Sequence, residues 1–339
     1  MTRDDKAGSI KNILIIKPGA IGDLIQLTPV LGALKKRYPD ALISLIVGSS
    51  VTAELFKYDP YVSETVVYEK RGEHSSLRSF FAVWSRLHKK QYDLVINFQR
   101  SNFKTWLLAT AAFPCRILVY HKTKAKGVHA VADHLRTIEP LGIVSSDPVP
   151  ELHTGAEDTR FAEAFFANEG LIGKPVIVLN PGASHAVNRW GTAQFAALAD
   201  SLADKLSAKI IIIGGAEDIA LAEEITARTR SAPLMMAGKI KLRQLGEIFK
   251  KSAVLVSGDT GPLHLAVAVG ARVVALFGAA DPDRTGPLGS GHRVIQAHGV
   301  PCVPCRSRRC ANSFYLECMK KITVQEVFDA VAGMIKTGK

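Results

Sequence analysis

Short apolar runs and amphipathic stretches alternate along the first part of the chain. An apolar run at 12–16 is followed by a glycine-rich turn at 18–22, a helical pattern at 23–37 and a second apolar run at 42–47. A short apolar run bounded by turn residues is typical of a buried strand, and apolar residues spaced along one face are typical of a helix. Strand, helix and strand in this order predict a βαβ unit and therefore a parallel sheet.

The alternation continues in two successive series of elements. The first series adds predicted strands at 65–68, 94–97 and 117–119 and predicted helices at 76–89 and 103–110. The regular alternation of strands and helices is interrupted between 145 and 174, beginning with a turn-rich connection at 145–150. The second series has predicted strands at 176–179, 209–213, 253–256 and 272–276. Its predicted helices lie at 158–168, 192–205, 219–229, 242–251, 263–269 and 323–336.

Two such series predict an α/β protein with two doubly wound, Rossmann-like domains that face each other across a cleft. We expect the first domain at 1–155, the second at 156–322 and a terminal helix at 323–339, where Thr323 and Glu326 form a capping box. Ligands of such sheets bind outside the carboxyl ends of the strands. The glycine-rich turns of this chain follow predicted strands, so the candidate sites lie at those edges.

The composition is that of a folded chain with a marked positive charge. Of the 339 residues, 47% are hydrophobic and 7% aromatic, and 43 Lys and Arg against 31 Asp and Glu give a net charge of +12. Nucleic acid, an anionic membrane face or an anionic substrate could account for this charge, and so could a basic enzyme without a charged partner. No nucleic-acid-binding module is recognisable, whereas clusters such as Lys122, Lys124 and Lys126 favour an anionic substrate at a membrane surface.

The expected location of the protein is the cytoplasm. No apolar run is long enough for a membrane helix, and the segment Met-Thr-Arg-Asp-Asp-Lys at 1–6 lacks the apolar region of a secretion signal. The charge argument extends this expectation to peripheral association with the inner face of the cytoplasmic membrane.

The segment Gly-Asp-Thr-Gly-Pro-Leu-His at 258–264 predicts a buried strand, a tight turn and a helix start. Gly261 lets the backbone approach a ligand closely. The N–H groups of Leu263 and His264, together with the positive end of the helix dipole, suit a diphosphate.

The side chains of this segment add polar groups at the same place. Thr260 offers a hydroxyl, His264 a ring donor, and Asp259 an acceptor for a ribose or an amine. The alternative is that Asp259 and Thr260 only cap the helix.

The first glycine-rich turn places Asp23 in the first turn of a helix. Gly19 and Gly22 are three residues apart, so the G-x-G-x-x-G fingerprint is absent, which argues against an NAD-dependent oxidoreductase. Asp23 either stabilises the helix dipole or acts as a general base on an acceptor hydroxyl. Both interpretations stay open on this turn alone.

Two turns in the second half carry further candidate ligands. In the segment at 179–190, Ser184 offers a hydroxyl, Arg189 can form a planar fork onto phosphate oxygens, and Trp190 is expected to pack beneath the loop. In the turn at 214–218, Glu217 and Asp218 either accept hydrogen bonds from a ribose or cap the next helix.

Four of the five cysteines are clustered near the end of the chain. They are Cys302, Cys305, Cys310 and Cys318, spaced C-x2-C-x4-C-x7-C. The first pair suits thiolate ligation of a metal better than a disulfide, and a structural zinc or iron is therefore a candidate cofactor. The last spacing matches no standard zinc-ribbon pattern, and no metal is expected in catalysis.

In this order and spacing, four segments resemble the bacterial ADP-heptose–lipopolysaccharide heptosyltransferases of glycosyltransferase family 9. They are KPGAIGDLIQLTP at 17–29, NPGASHAVNRW at 180–190, IIIIGGAED at 210–218 and SGDTGPLHLAVAVG at 257–270. The resemblance implies a GT-B fold, with two Rossmann-like domains and the terminal helix packed back on the first. It also implies an ADP-heptose donor and no cofactor for catalysis.

The resemblance also implies roles for individual residues. Asp23 matches the catalytic base of the family. The diphosphate and its sugar are expected at Asp259, Thr260, Gly261, Leu263 and His264. A nucleoside contact is expected at Glu217 or Asp218, and acceptor contacts are expected at Gly22, Gln99, Arg100 and Lys104.

The chain departs from the family at one donor position. The family has a Lys two residues before the Trp of the middle segment, and here that position is Asn188. Arg189 is expected to take the phosphate role instead.

We therefore expect an inverting glycosyltransferase that moves heptose from ADP-heptose to an inner-core sugar of lipopolysaccharide. In this reaction the acceptor hydroxyl, deprotonated by Asp23, attacks the anomeric carbon as ADP leaves. The alternatives are a protein heptosyltransferase acting on Ser, a nucleotide-sugar epimerase or hydrolase, and a non-catalytic nucleotide-sugar-binding protein.

Overall fold

The computed structural model describes residues 10–69, 76–99, 103–123, 125–144 and 148–336. Arg100, Lys124, the side chain of Lys104 and part of the predicted connection at 145–150 lie outside the described residues. The chain divides into two compact units, Met1–His153 and Thr154–Lys339. In the described part of the chain, no helix combines the length and the apolar character needed to cross a membrane.

The first unit is built on one parallel sheet of five strands. The strands are β1 (Asn12–Ile16), β2 (Leu42–Val47), β3 (Glu64–Val67), β4 (Leu94–Asn97) and β5 (Arg116–Val119). The helices are α1 (Ile21–Ile25), α2 (Thr28–Arg37), α3 (Ser50–Glu54), α4 (Leu77–His88), α5 (Phe103–Thr110) and α6 (Ala130–Leu135). The strand order β3-β2-β1-β4-β5 is that of a Rossmann sheet, in which β1 and β4 meet at the topological switch point.

The second unit is built on a parallel sheet of six strands. The strands are β6 (Val176–Asn180), β7 (Lys209–Ile212), β8 (Leu234–Met235), β9 (Val254–Gly258), β10 (Val273–Phe277) and β11 (Arg293–Gln296). The longer helices are α7 (Ala156–Asn168), α8 (Thr192–Leu206), α9 (Ile219–Arg228), α10 (Leu242–Lys251) and α11 (Gly261–Ala268). They are followed by α12 (Pro282–Thr285), α13 (Glu317–Lys320) and α14 (Val324–Lys336).

The order of the second sheet, β11-β10-β9-β6-β7-β8, repeats the Rossmann arrangement with its switch point between β6 and β9. The predicted α/β class with two doubly wound sheets is confirmed. The central strands β1, β6 and β9 are almost wholly buried. Strands covered by helices on both faces read as continuous apolar runs, which is why the sequence pattern identified them.

The helix predicted at 23–37 is two helices. Pro29 lies in the first turn of α2, where its missing N–H costs no hydrogen bond. A continuous helix would bring the proline ring against the carbonyl of Ile25, and that carbonyl instead accepts a hydrogen bond from the Thr28 hydroxyl at 2.8 Å. The break leaves α1 as a short helix that carries Asp23 in its first turn.

The terminal helix α14 packs within the second unit. Its buried side chains, Val327, Phe328, Val331 and Met334, belong to the same apolar cluster as residues of α8, β6 and β9. The apolar face of α14 therefore completes the second core, and the expectation that this helix also packs on the first unit stays a prediction. The predicted capping box is confirmed: Thr323 N–H donates to Glu326 Oε2 at 2.8 Å, and Glu326 N–H donates to Thr323 Oγ1 at 3.2 Å.

Candidate functional site

A buried asparagine organises the carboxyl edge of the second sheet. Asn180 ends β6, is only 2% exposed and is in register with Ser257 of β9. Its side-chain amide donates to Ser257 Oγ at 2.9 Å and to Thr260 Oγ1 at 3.0 Å. These contacts hold the Thr260 hydroxyl at the switch point of the sheet, where ligands of doubly wound folds bind.

The start of α11 is not capped by the Thr260 side chain. Thr260 is the N-cap residue, but it makes no side-chain cap hydrogen bond, because its hydroxyl is within 2.9 Å of the Ser257 hydroxyl instead. The alternative in which Thr260 caps the helix is therefore wrong. The His264 N–H makes one long hydrogen bond of 3.4 Å, to Thr260 O. The first turn of α11, which contains Gly261 and the buried Leu263, keeps the anion-binding character expected of a helix N-terminus.

Asp259 has partners on two different elements. Its Oδ2 accepts a hydrogen bond from the Thr285 hydroxyl of α12 at 3.1 Å. Its Oδ1 lies 3.4 Å from His264 Nε2. The side chains of Asp259 and His264 are mostly buried, at 16% and 11% exposure, so their neighbours restrict how the pair can move.

The loop after β6 is fixed against the segment at 258–264. The Asn188 side-chain amide donates to Asp259 O at 3.2 Å. A Cβ atom on Gly258 would overlap Asn188 O, so the two backbones approach as closely as glycine allows. The loop and the start of α11 therefore form one continuous surface.

Arg189 braces the same loop. Its Nε and Nη2 both donate to Ala183 O, at 3.0 and 2.8 Å. The predicted fork onto phosphate therefore has two of its nitrogens directed at the protein, and the N–H groups of Nη1 and the second N–H of Nη2 remain to be offered to a ligand. Ser184 is exposed on this loop. Trp190 packs beneath it as predicted, since the ring is 3% exposed and its Nε1–H donates to Ile322 O at 2.9 Å.

Glu217 and Asp218 lie in different surroundings. Asp218 is 7% exposed, and its Oδ2 accepts the Gly215 N–H at 3.0 Å. A Cβ atom on Gly182 would overlap this carboxylate, which therefore fills the space between the loops after β6 and β7. Glu217 is exposed beside Gly215. The structure thus favours a capping role for Asp218 and leaves Glu217 as the carboxylate accessible to a ribose.

In the first unit, Asp23 lies beside a buried lysine. Lys17 follows β1, and its Nζ lies 4.0 Å from Asp23 Oδ1. The lysine side chain is 8% exposed and the aspartate side chain 53% exposed, so the carboxylate is open to an acceptor. Burial lowers the pKa of Lys17, and the charge of Asp23 partly offsets that effect. Gly22, also in α1, precedes Asp23 directly.

An aromatic cluster surrounds the lysine. The Lys17 ammonium lies 5.9 Å from the centroid of the Tyr120 ring. The His134 ring contacts the rings of both Tyr120 and Phe98 edge-on. Burial, followed by the Lys17 charge, lowers the pKa of His134 to about 4, so this histidine is neutral at neutral pH. Its Nδ1–H donates to Gln26 O at 3.2 Å.

Gln99 is the predicted acceptor residue whose position is best defined. Its N–H donates to Asn97 Oδ1 at 2.9 Å, and its carbonyl accepts from the Thr105 hydroxyl at 2.9 Å. These contacts fix the backbone just beyond β4, at the carboxyl edge that also carries Lys17. Arg100 and the Lys104 side chain, as noted, lie outside the described residues.

The cysteine cluster gains no support as a metal site. Charges on Cys302, Cys305 and Cys310 add to burial in raising the pKa of Cys318, so the four sulfurs share one neighbourhood. Cys310 Sγ nevertheless accepts the Leu316 N–H at 3.2 Å, and the described parts of the chain contain no group of three or more His, Cys, Asp or Glu arranged to hold a metal ion.

Several contributors to these sites were not singled out from the sequence. Lys17, Asn180 and Ser257 are polar residues at the ends of apolar strands. Such residues lie at the carboxyl edge of a parallel sheet, so their position was a usable signal. His134 gave no comparable signal, because its helix α6 was not predicted.

Comparison with known proteins identifies the family. The profile described as glycosyltransferase family 9 (heptosyltransferase) matches residues 80–316. The chain is 24% identical to lipopolysaccharide heptosyltransferase 3 of Escherichia coli over 340 residues, covering 94% of this chain and 98% of that protein.

Solved structures with a similar fold include two members of this group. The glycosyl transferase family 9 protein from Veillonella parvula DSM 2008 has a TM-score of 0.85 and 23% identity, covering 96% of this chain and 98% of that one. The ADP-heptose lps heptosyltransferase II of E. coli has a TM-score of 0.79 and 23% identity, covering 96% and 99%.

Proposed function

Since the chain belongs to glycosyltransferase family 9, the heptosyltransferase family, we propose that it transfers heptose from ADP-heptose to an inner-core sugar of lipopolysaccharide. Relatives named lipopolysaccharide heptosyltransferase support the acceptor class, and the structural relative named for ADP-heptose supports the donor. The observation that carries the proposal is the arrangement around Thr260. Its hydroxyl makes no cap hydrogen bond to α11 and is held instead at the switch point of the second sheet.

The second unit binds the donor. The diphosphate lies at the first turn of α11, where the helix dipole and the amides of Leu263 and His264 favour negative charge. Thr260 adds a hydroxyl, and the Asp259–His264 pair lies beside it for the ribose or the sugar. Arg189 Nη1 and Ser184 approach from the adjoining loop.

The first unit activates the acceptor. Asp23 takes the proton of the acceptor hydroxyl while the hydroxyl oxygen forms a bond to the anomeric carbon. The bond from that carbon to the diphosphate oxygen breaks, and ADP leaves with the electron pair. This single displacement inverts the anomeric configuration. Charge that develops on the leaving diphosphate is stabilised by the α11 amides and the Thr260 hydroxyl.

The adenosine is recognised at the edge of the second sheet. Glu217 is exposed after β7 and accepts hydrogen bonds from the ribose hydroxyls, whereas Asp218 supports the turn beneath it. At the acceptor, the Gln99 side chain extends from a backbone that Asn97 and Thr105 hold in place. Arg100 and Lys104 complete the acceptor contacts in this proposal.

The net charge of +12 suits an anionic acceptor. Phosphorylated and carboxylated core sugars would be attracted to such a surface, and so would the anionic inner face of the cytoplasmic membrane. Catalysis in this scheme uses no bound metal ion.

Donor selectivity tests the proposal. We expect ADP-heptose at a hundred times its dissociation constant to raise the free energy of unfolding by roughly 2.7 kcal/mol in thermal or chemical denaturation. UDP- and GDP-sugars at the same concentration should have a much smaller effect. A preference for UDP-sugars would contradict the assignment. Rapid release of free heptose from ADP-heptose without an acceptor would indicate a hydrolase instead.

A further inference from the structure

Lys17 is a buried cation whose charge is only weakly paired. Its side chain is 8% exposed, and none of the described residues accepts a hydrogen bond from its Nζ. Among the described residues, its electrostatic contacts include the long ion pair with Asp23 and the ring of Tyr120. Removing an ammonium from water is costly unless the charge is paired and hydrogen-bonded. A methionine of similar length would fill the same space at a lower cost.

The groups packed around Lys17 leave Asp23 as its ionic partner. Asp133 of α6 is engaged elsewhere, because it accepts hydrogen bonds from the Tyr120 hydroxyl at 2.9 Å and from Arg136 at 2.9 Å. His134 of α6 is neutral at neutral pH, since its pKa is about 4. Among the described residues, the charged group that faces the ammonium is therefore the Asp23 carboxylate.

The turn after β1 makes room for this pair. A Cβ atom on Gly19 would lie 3.2 Å from Asp23 Oδ2 and 3.4 Å from Lys17 Cε. The turn itself is tight, because Gly19 N–H donates to Lys17 O at 2.8 Å. A side chain at this position would crowd the carboxylate against the ammonium, so the glycine keeps Asp23 Oδ2 clear.

We propose that Lys17 is a positioning residue for Asp23: its fixed ammonium holds Oδ1 and leaves Oδ2 to receive the acceptor proton. The lysine is rigid because it is buried, whereas the half-exposed aspartate has freedom to turn. Lys17 therefore sets the orientation of the Asp23 carboxylate, and Asp23 does not set that of Lys17. This inference rests on the proposed function, in which Asp23 is the base.

The test compares kcat and the acceptor KM for heptosyl transfer in three variants. Lys17→Met removes the charge at similar length, Lys17→Arg keeps it, and Lys35→Met is a matched control. Lys35 is structural, since its Nζ donates to Pro39 O and Ala41 O at 3.1 and 2.7 Å. We expect Lys17→Met to lower kcat by about tenfold or more with the KM for the acceptor nearly unchanged, because Asp23 loses the contact that orients it. Lys17→Arg should recover much of the wild-type kcat, and Lys35→Met should match the wild type.

Binding and folding measurements separate the outcomes. The affinity of Lys17→Met for ADP should match the wild type, and its melting temperature should not fall, because an apolar side chain replaces a buried charge. An unchanged kcat in Lys17→Met overturns the inference. A higher KM for the acceptor with unchanged kcat also overturns it, since Lys17 would then contact the acceptor directly.

Different experimental results would contradict the positioning role of Lys17 and the proposed function. If the wild type transfers no heptose, or if Asp23→Asn transfers it at the wild-type rate, the proposed function itself is wrong. If the wild type is active and Asp23→Asn inactive, but Lys17→Met behaves as the wild type, only the positioning role is wrong.

Discussion

The side-chain amide of Asn188 donates a hydrogen bond of 3.2 Å to the main-chain carbonyl of Asp259. This bond joins the loop after β6 to the turn that begins α11. The residue occupies the position at which the resemblance implies a lysine, and it links the two loops of the proposed donor site. Asn188 therefore organises the site through the backbone, and any direct charge on the diphosphate from this loop comes from Arg189.

Loss of the Asn188 amide should weaken ADP binding. A hydrogen bond of this kind contributes about 0.5–1.5 kcal/mol, so Asn188→Ala should raise the dissociation constant for ADP roughly threefold to tenfold in calorimetry. Asn188→Asp tests the hydrogen bond more specifically, because the carboxylate has the same shape as the amide but cannot donate to Asp259 O. It should lose more affinity than Asn188→Ala. Unchanged ADP affinity in both variants would show that the link does not support the site.

The close approach at Gly258 should make this position intolerant of any side chain. In Gly258→Ala, the added Cβ overlaps Asn188 O, so the loop must shift. We expect a loss of about 1–3 kcal/mol in the free energy of unfolding, together with weaker ADP binding. The control is Gly333→Ala, an exposed position in α14 where a Cβ meets nothing within 4 Å. That variant should gain up to about 1 kcal/mol from helix propensity. Equal stability of the two variants would contradict the packing described here.

His134 should make stability fall in mild acid. Its pKa is about 4 in the folded protein against 6.5 for an ordinary histidine, owing first to burial and then to the Lys17 charge. Above pH 6.5 the residue is neutral in both states. Between pH 6.5 and 4 the unfolded chain binds the extra proton, so the free energy of unfolding falls as the pH drops, by roughly 3 kcal/mol in total.

The variant His134→Gln isolates this contribution. Denaturant titrations at pH 7 and pH 4.5 should show a smaller loss of stability in the variant than in the wild type. An identical loss in both proteins would mean that His134 is not held neutral in the fold.

Substitution of the two acidic residues after β7, Glu217 and Asp218, should have different effects on stability and on ADP binding. Asp218→Ala should lower the free energy of unfolding by about 1 kcal/mol, as expected when a capping carboxylate is lost. Glu217→Ala should leave stability nearly unchanged but raise the dissociation constant for ADP by about tenfold, because a charged hydrogen-bond partner of the ribose is removed. If Asp218→Ala instead weakened ADP binding without affecting stability, the roles would be reversed.

The strands and the polar residues at their ends were predictable from the sequence. Runs such as Asn12–Ile16 and Val176–Asn180 are central strands covered on both faces, so nearly every side chain is apolar. Asp23 and the segment at 258–264 come shortly after such strands or at their ends, so the sequence predicts that they lie at sheet edges.

Short elements and long-range contacts were not predictable in the same way. The strand Leu234–Met235 and the helix Ala130–Leu135 are too short to show a period, and their stability comes from packing. The Lys17–Asp23 pair depends on the tight turn in which Gly19 N–H donates to Lys17 O. The hydrogen bond between Asn188 and Asp259 joins residues that are 71 positions apart, and no local pattern encodes it.

The most direct measurement is heptosyl transfer from ADP-heptose to a heptose-deficient lipopolysaccharide core, with the wild type and Asp23→Asn compared side by side. The wild type should add one heptose for each ADP released. Asp23→Asn should bind ADP with unchanged affinity but turn over about a hundredfold more slowly or worse, as expected when a general base is lost. Transfer by Asp23→Asn at the wild-type rate, or no transfer by the wild type, would contradict the account.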